Sequence, residues 1–243
     1  MPNRSRRSGL IWAIAGGLAL LMGIAAMIIA SLGNGAAPSA TPAPSSTTTA
    51  ATSVPTGGES GAVVDATAGD RGWIPEPVTM DAETYVRAVL AAGGTFDTTM
   101  AGYEEWISYL GTWFTPDTRY ASEADREAEL AAAKLEMRQS VVLPEQQWGS
   151  LTTEDGRVAS TVTGDVVFGP VAQDDSGDMS IGTADITIIY TRSDGEDGEV
   201  SYEETTRLSV QVLCGPGSIP APDSAQTAGD CKVVRFFAEP VEP

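Results

Sequence analysis

The residue types that normally carry catalysis are scarce in this chain. It contains no histidine, which removes the usual general base and the commonest metal ligand. It also lacks nucleophile elbows, glycine-rich phosphate loops and cysteine–histidine metal spacings. Acid–base chemistry would therefore need two carboxylates, or a carboxylate with a tyrosine or a lysine, and no motif places such a pair. The sequence predicts no catalytic residue, no cofactor and no metal site.

One carboxylate still invites a functional interpretation. Asp97 lies among hydroxyl side chains at a predicted helix junction. In one interpretation it is an acid inside a pocket, with Tyr103 and Trp106 as further pocket residues. In the other, its carboxylate accepts backbone N–H hydrogen bonds as a helix cap or an Asx-turn. Asp97 with its hydroxyl neighbours favours the cap, and the pocket stays open as the alternative.

Two acidic runs, residues 174–178 and 194–199, invite a calcium interpretation. Calcium loops place oxygen ligands at fixed alternate positions around an obligatory glycine, and neither run satisfies that pattern. Acidic turns at the rim of a sheet explain both runs better.

The elements that must position these residues begin with an apolar stretch at residues 9–32, which carries no charge. It exceeds the roughly 20 apolar residues that a helix needs to cross a bilayer. Arg4, Arg6 and Arg7 precede it, and the next basic residue is Arg71, which predicts a cytoplasmic N-terminus and an extracytoplasmic remainder. The alternative is a cleaved secretory signal, whose apolar region is normally only about 7–15 residues long.

Small residues repeat every four positions along one face of this predicted anchor, at Ala15, Ala19 and Gly23. Such a stripe lets two membrane helices approach closely, which is consistent with self-association. We predict four regions: a cytoplasmic tail (1–8), a transmembrane helix (9–32), a disordered linker rich in Ala, Ser, Thr and Pro (33–74), and an extracytoplasmic domain (75–243).

Within this domain the first half is helical by pattern. Capping residues and apolar periodicity predict helices over 81–92, 103–111 and 121–140, with Gly93 and Gly94 ending the first. The third helix has few large apolar residues, Leu130, Leu135 and Met137, so we expect it to lie on the surface. Most of the aromatic side chains are predicted to be core: Trp106, Tyr109, Trp113, Phe114 and Trp148.

The second half reads as strands, at 157–168, 179–192, 200–213 and 233–237, because β-branched residues alternate there. Even-numbered residues 186–190 and 208–212 are expected to share the core face. Outside the cytosol, Cys214 and Cys231 are a disulfide candidate, with two free buried thiols as the alternative. Helices followed by an antiparallel meander predict the α+β class.

The acidity of the chain limits its partners. Its net charge is −19, and such a surface repels phosphate backbones and anionic lipid headgroups. We therefore expect no direct binding to nucleic acid.

The order of these features is similar to a known family. The N-terminal anchor and tether, the segment with Phe96-Asp97-Thr98-Thr99, Trp106 and Leu110, and the ending with Cys214 and Cys231 resemble membrane-anchored nuclear transport factor 2-like proteins. More narrowly, they resemble the VirB-eight-like and TcpC-like assembly proteins of conjugative, type IV secretion-related elements in actinobacteria. The resemblance implies a cystatin-like or nuclear-transport-factor-2-like cone, in which helices pack on a curved antiparallel sheet. It also implies a non-enzymatic scaffold that self-associates and contacts other subunits of the transfer channel.

These observations together predict a single-pass protein of the cell membrane that works by protein–protein contact, in conjugative transfer or type IV secretion. Two other functions remain open. One is a small-molecule-binding or catalytic cone-shaped domain around Asp97, and the other is an accessory role in an envelope lipid-transport system.

Overall fold

The structure, a computed structural model, describes residues 61–196 and 198–241. Within these residues a short 3₁₀ helix, Ala66–Arg71, precedes the α-helices and the strands. The helices are α1 (Ala82–Ala92), α2 (Tyr103–Gly111), α3 (Glu123–Ser140) and α4 (Glu145–Thr152). The strands are β1 (Phe96–Asp97), β2 (Arg157–Pro170), β3 (Met179–Ser193), β4 (Glu199–Leu213) and β5 (Lys232–Phe237).

The strands form one antiparallel sheet in the order β1-β2-β3-β4-β5, which curls into a half-barrel. The predicted α+β class is confirmed. The register of the β3–β4 pair places Ile186 opposite Thr206 and Ala184 opposite Leu208, so even-numbered residues of β3 and β4 share one face. Ile186, Val210 and Val212 are buried on that face, as predicted. We call it the core face.

The first helix covers the core face as its sequence predicts. The carboxylate of Asp81 accepts the Thr84 N–H at 2.8 Å and caps α1. The buried side of the helix packs on β2, β3 and β4. At its end, a Cβ on Gly94 would approach the Ser160 Cβ to 2.9 Å, so glycine lets the chain pass close to β2.

The third helix packs against β5 through a narrow stripe. Ser122 caps it by accepting the Asp125 N–H at 3.1 Å. Met137 is buried, but Leu135 is 52% exposed, so Leu135 does not belong to the stripe. Leu135 lies two residues before Met137, and residues two apart do not share a helix face.

Three short elements were not predicted: the 3₁₀ helix, β1 and α4. The α4 helix carries Trp148, whose ring stacks on Phe96 of β1 with 4.1 Å between centroids. Both aromatic side chains are buried. The prediction that Trp148 is core is therefore confirmed, although the helix that places it there was not foreseen.

The start of the folded domain also differs from the prediction. Residues 61–74 were assigned to the linker, yet Asp65 caps the 3₁₀ helix, Val63 bridges Pro77, and Trp73 is buried. The Trp73 ring stacks on Tyr109 at 4.9 Å. Composition suggested disorder because apolar residues are few here, but one tryptophan and a set of backbone hydrogen bonds suffice to order the segment.

None of the helices in the described residues combines the length and hydropathy that a bilayer span requires. The predicted tail (1–8), transmembrane helix (9–32) with its stripe Ala15, Ala19 and Gly23, and residues 33–60 of the linker lie outside the described residues.

Cys214 and Cys231 form the predicted disulfide, with their Cα atoms 4.0 Å apart. It joins the end of β4 to the start of β5 across the loop of residues 215–230. In the chain-entropy account, closing a loop of this length stabilises the folded state by about 3 kcal/mol.

We predict that replacing both cysteines by alanine lowers the thermal midpoint by roughly 6–12 °C, the shift that about 3 kcal/mol produces in a domain of this size. Differential scanning calorimetry of the full-length protein in detergent measures the shift. The oxidised wild-type protein is the control, and an unchanged midpoint would contradict a stabilising role for the bond.

Candidate functional site

Asp97, for which the sequence favours a cap or turn over a pocket, is a turn residue in the structure. Its carboxylate accepts the Thr99 N–H at 2.8 Å and the Thr99 hydroxyl at 2.6 Å, which is the Asx-turn arrangement. Tyr103 and Trp106 are buried among aromatic rings, with Trp106 4.8 Å from Phe96 and Tyr103 5.5 Å from Trp148. The structure therefore shows Asp97 in the Asx-turn that the sequence favoured, and Tyr103 and Trp106 in the aromatic core.

The acidic runs likewise serve their own turns. Asp174 accepts hydrogen bonds from Ser176 and from the Met179 N–H, and Asp194 accepts the N–H groups of Glu196 and Gly198. No group of metal-ligating side chains occurs among the described residues.

A buried ion pair links the segment before α1 to β5. The Lys232 Nζ donates to Glu76 Oε1 at 2.8 Å, and each side chain is only 1% exposed. Tyr85 donates to the same oxygen at 2.6 Å and Gln226 at 3.2 Å. Burial raises the pKa of Glu76, against the effect of Lys232, and it lowers the pKa of Lys232, against the effect of Glu76.

Perturbed pKa values often mark active sites, but this pair is enclosed. Lys232 also donates to the Thr112 carbonyl at 2.9 Å, so the pair holds together the segment before α1, the end of α2 and β5. Because both side chains are almost fully buried, we interpret it as a structural pair. No local sequence pattern predicts this ion pair, because Glu76 and Lys232 are 156 residues apart.

An apolar cavity of about 430 Å³ opens on the core face, away from Asp97. This volume lies within the range of ligand pockets, roughly 300–1,000 Å³. Its polar lining residues are Ser140, Tyr190, Thr206 and Arg207, and no carboxylate or cysteine lines it. Its apolar walls come from β1, the α3–α4 connection and the sheet, including Phe96, Val142, Leu143, Ile186, Ile188 and Leu208.

Beside this cavity, strand β4 has an uncovered edge. β5 pairs with β4 only from Ser209 to Leu213. On the side of β4 away from β3, no strand among the described residues pairs with residues 199–206. All eight of these residues are exposed. We call residues 199–206 the open edge. Thr206 belongs both to this edge and to the lining of the cavity.

The ladder between β3 and β4 shows which backbone groups the open edge presents. The Cys214 N–H donates to the Asp178 carbonyl at 2.9 Å, and the Asp194 N–H donates to the Gly198 carbonyl at 3.0 Å. The register is constant between these two ends. In an antiparallel ladder, alternate residues point both backbone groups towards the neighbour. Even-numbered residues of β4 therefore bond to β3, and Ser201, Glu203 and Thr205 point outward.

The side chains along the open edge are apolar and acidic. On the core face, the Tyr202 ring stacks on Tyr190 at 4.6 Å while remaining 49% exposed. On the opposite face, the Arg157 guanidinium pairs with Glu199 at 2.6 Å. Glu203 and Glu204 form no ion pair among the described residues, so the edge carries uncompensated negative charge.

The sequence itself carries a signal for the open edge, which is the difference in length between two predicted strands. Its strand predictions make the strand at 200–213 far longer than the strand at 233–237. A short strand cannot pair with the whole length of a long neighbour. The length difference alone therefore indicates an unpaired edge wherever the two strands are adjacent.

No protein-family model matches this chain, and no curated protein matches it. Two solved structures resemble it. An IcmL-like type IV secretion system protein from Legionella pneumophila is 11% identical, with a TM-score of 0.42 over 66% of this chain and 91% of that chain. A periplasmic fragment of TraM is 14% identical, with a TM-score of 0.39 over 64% and 93%. At identities and TM-scores this low, the likeness supports no functional assignment.

We predict that replacing Lys232 by Met lowers the free energy of unfolding by about 3–5 kcal/mol at neutral pH, because the Glu76 carboxylate loses its cation in a buried site. Because burial raises the pKa of Glu76 in the folded state, the neutral acid is tolerated there. The deficit of the variant should therefore shrink below the unfolded-state pKa of Glu76 and grow as the pH rises through the folded-state pKa.

Urea unfolding followed by tryptophan fluorescence measures this loss across the pH range. The matched control is the double variant Glu76→Gln with Lys232→Met, which removes both charges and keeps polar partners for Tyr85 and Gln226. We expect it to recover much of the lost stability. If the double variant were as unstable as Lys232→Met, the loss would come from packing and not from the unpaired charge.

Proposed function

We propose that this chain is a non-enzymatic assembly subunit of a cell-envelope machine of the conjugative-transfer or type IV secretion kind. Residues 9–32 anchor it in the cell membrane, and the folded domain lies on the outer side. There it binds copies of itself and other subunits of the transfer channel. The finer assignment, to the nuclear-transport-factor-2-like assembly proteins of actinobacterial elements, rests on the sequence resemblance described above.

The observation that carries the proposal is the uncovered half of the sheet. Apolar side chains stay exposed there on both faces, with Val200 43%, Tyr202 49% and Ile189 39% exposed. The helices pack over the opposite end, where β4 is buried from Ser209 to Leu213. An exposed apolar patch with a free strand edge is typical of a surface that binds another protein.

The non-enzymatic part of the proposal is supported by where the reactive groups lie. The buried carboxylate and ammonium, Glu76 and Lys232, are enclosed in the core and pair with each other. The apolar cavity on the core face is lined mainly by aliphatic side chains and has no carboxylate. Neither place combines an accessible acid or base with room for a substrate.

A photocrosslinking experiment tests the proposed role in native membranes. We predict that p-benzoylphenylalanine in place of Tyr202 gives covalent adducts with other envelope proteins on irradiation. The matched control places the same residue at Leu135 of α3, which is 52% exposed but lies away from the open edge. We expect several-fold fewer adducts there.

The identity of the crosslinked proteins, read by mass spectrometry, separates the alternatives. Channel subunits or a transfer ATPase support the proposal. Subunits of a lipid transporter would contradict the transfer assignment. Recovery of the chain without adducts from either position would contradict an assembly role altogether.

A further inference from the structure

The open edge has the geometry that accepts an additional strand. Its eight residues span about 27 Å at ~3.4 Å per residue. Ser201, Glu203 and Thr205 point their N–H and C=O groups to the outer side, as the β3–β4 ladder requires. At the far end, the chain after β5 turns across the sheet, where the Val241 N–H donates to the Ser209 hydroxyl at 2.8 Å. An added strand would therefore be confined to residues 199–206.

The two faces of this edge favour different side chains in an added strand. On the core face, an added strand would lie beside Tyr202, Thr206 and the apolar cavity. On the opposite face it would lie beside Glu203, whereas the second unpaired carboxylate of the edge, Glu204, lies on the core face between Tyr202 and Thr206. Because side chains alternate between faces along a strand, the complementary segment alternates apolar and basic residues.

We infer that the open edge binds an extended segment of a partner protein as an antiparallel strand, with apolar residues over the cavity and lysine or arginine residues beside Glu203. This inference rests on the proposed function, because it names the partner chemistry of the same surface. Main-chain hydrogen bonds supply affinity in such a complex, and the pocket for alternate side chains supplies specificity.

A second copy of this chain is a poorer occupant than a basic segment. Pairing two open edges antiparallel about their centre places Glu203 directly opposite Glu203 of the other copy, and a two-residue shift places Glu204 opposite Glu204. Like charges directly opposite in a sheet are destabilising. The net charge of −19 for the whole chain adds to this repulsion and favours a basic partner.

The probe for this inference is a ten-residue peptide of alternating valine and lysine, labelled with fluorescein and added to the full-length protein in non-ionic detergent. We expect binding by fluorescence anisotropy, weakened by added salt, and at least tenfold weaker binding by a peptide of alternating valine and glutamate. Equal binding of the two peptides, or binding of neither, would overturn the inference.

Changes to the backbone of the open edge and to the backbone of the peptide test strand pairing directly. Thr205→Pro removes an outward N–H group without breaking the ladder with β3, and proline is tolerated at such an edge position. We expect it to weaken peptide binding at least tenfold, whereas Thr205→Val, which keeps the N–H, should change binding less than threefold. In an antiparallel pair the lysines of the peptide lie opposite Ser201, Glu203 and Thr205, and their backbone N–H groups point towards β4. Methylating the backbone nitrogens of the lysines should therefore abolish binding, whereas methylating those of the valines should not.

Hydrogen exchange gives a readout that does not depend on any variant folding. Without the peptide, the amides of Ser201, Glu203 and Thr205 should exchange quickly, while those of Tyr202, Glu204 and Thr206 are held by the ladder with β3. With the peptide, the fast set should become protected. Uniform protection of the hairpin, or none, would contradict an added strand.

Repeating the photocrosslinking from position 202 in the Thr205→Pro background separates this inference from the proposed function. Loss of the adducts supports strand addition. Adducts that persist unchanged would overturn strand addition and leave the assembly role standing. Adducts with a second copy of the chain, abolished by Thr205→Pro, would identify the occupant as self and overturn the basic partner.

Discussion

The architecture depends on one constraint, which is that the strands are much longer than the helices that cover them. β3 and β4 each have 15 residues, about 50 Å of strand, whereas α1 has 11 residues, about 16 Å of helix. A single helical layer of this length buries one end of the sheet and leaves the other end exposed. The division of β4 into a buried half and an open half follows from that mismatch.

The covered end is held together by interactions between distant parts of the chain. The disulfide from Cys214 to Cys231 fixes the loop between β4 and β5, and the ion pair of Glu76 and Lys232 ties the segment before α1 to the start of β5. Both lie at the end of the sheet opposite the open edge. A partner that binds the open edge can therefore add backbone hydrogen bonds without disturbing the residues on which the fold depends.

Local sequence patterns predict most of the helices and strands, and the features that they do not predict depend on tertiary packing. Asp81 and the face led by Tyr85 define α1 by capping and periodicity, and β-branched alternation defines β2, β3 and β4. The helix α4 is too short to show a period, and the pairing of Glu76 with Lys232 has no local signal. Asp97 illustrates the limit for function: its neighbouring hydroxyls favour a turn but leave a pocket open, and the hydrogen bonds from Thr99 identify the turn.

The acidity of the open edge explains how such an edge can persist without aggregation. Natural sheets protect free edges with charged side chains, and Glu203 and Glu204 serve that purpose by repelling another copy of the same edge. The same charges lower the free energy of a complex with a basic segment, because opposite charges across a strand pair are stabilising. One pair of residues thus both discourages self-addition and selects a partner. This dual effect is why the charge of the edge, more than its apolar residues, determines what it binds.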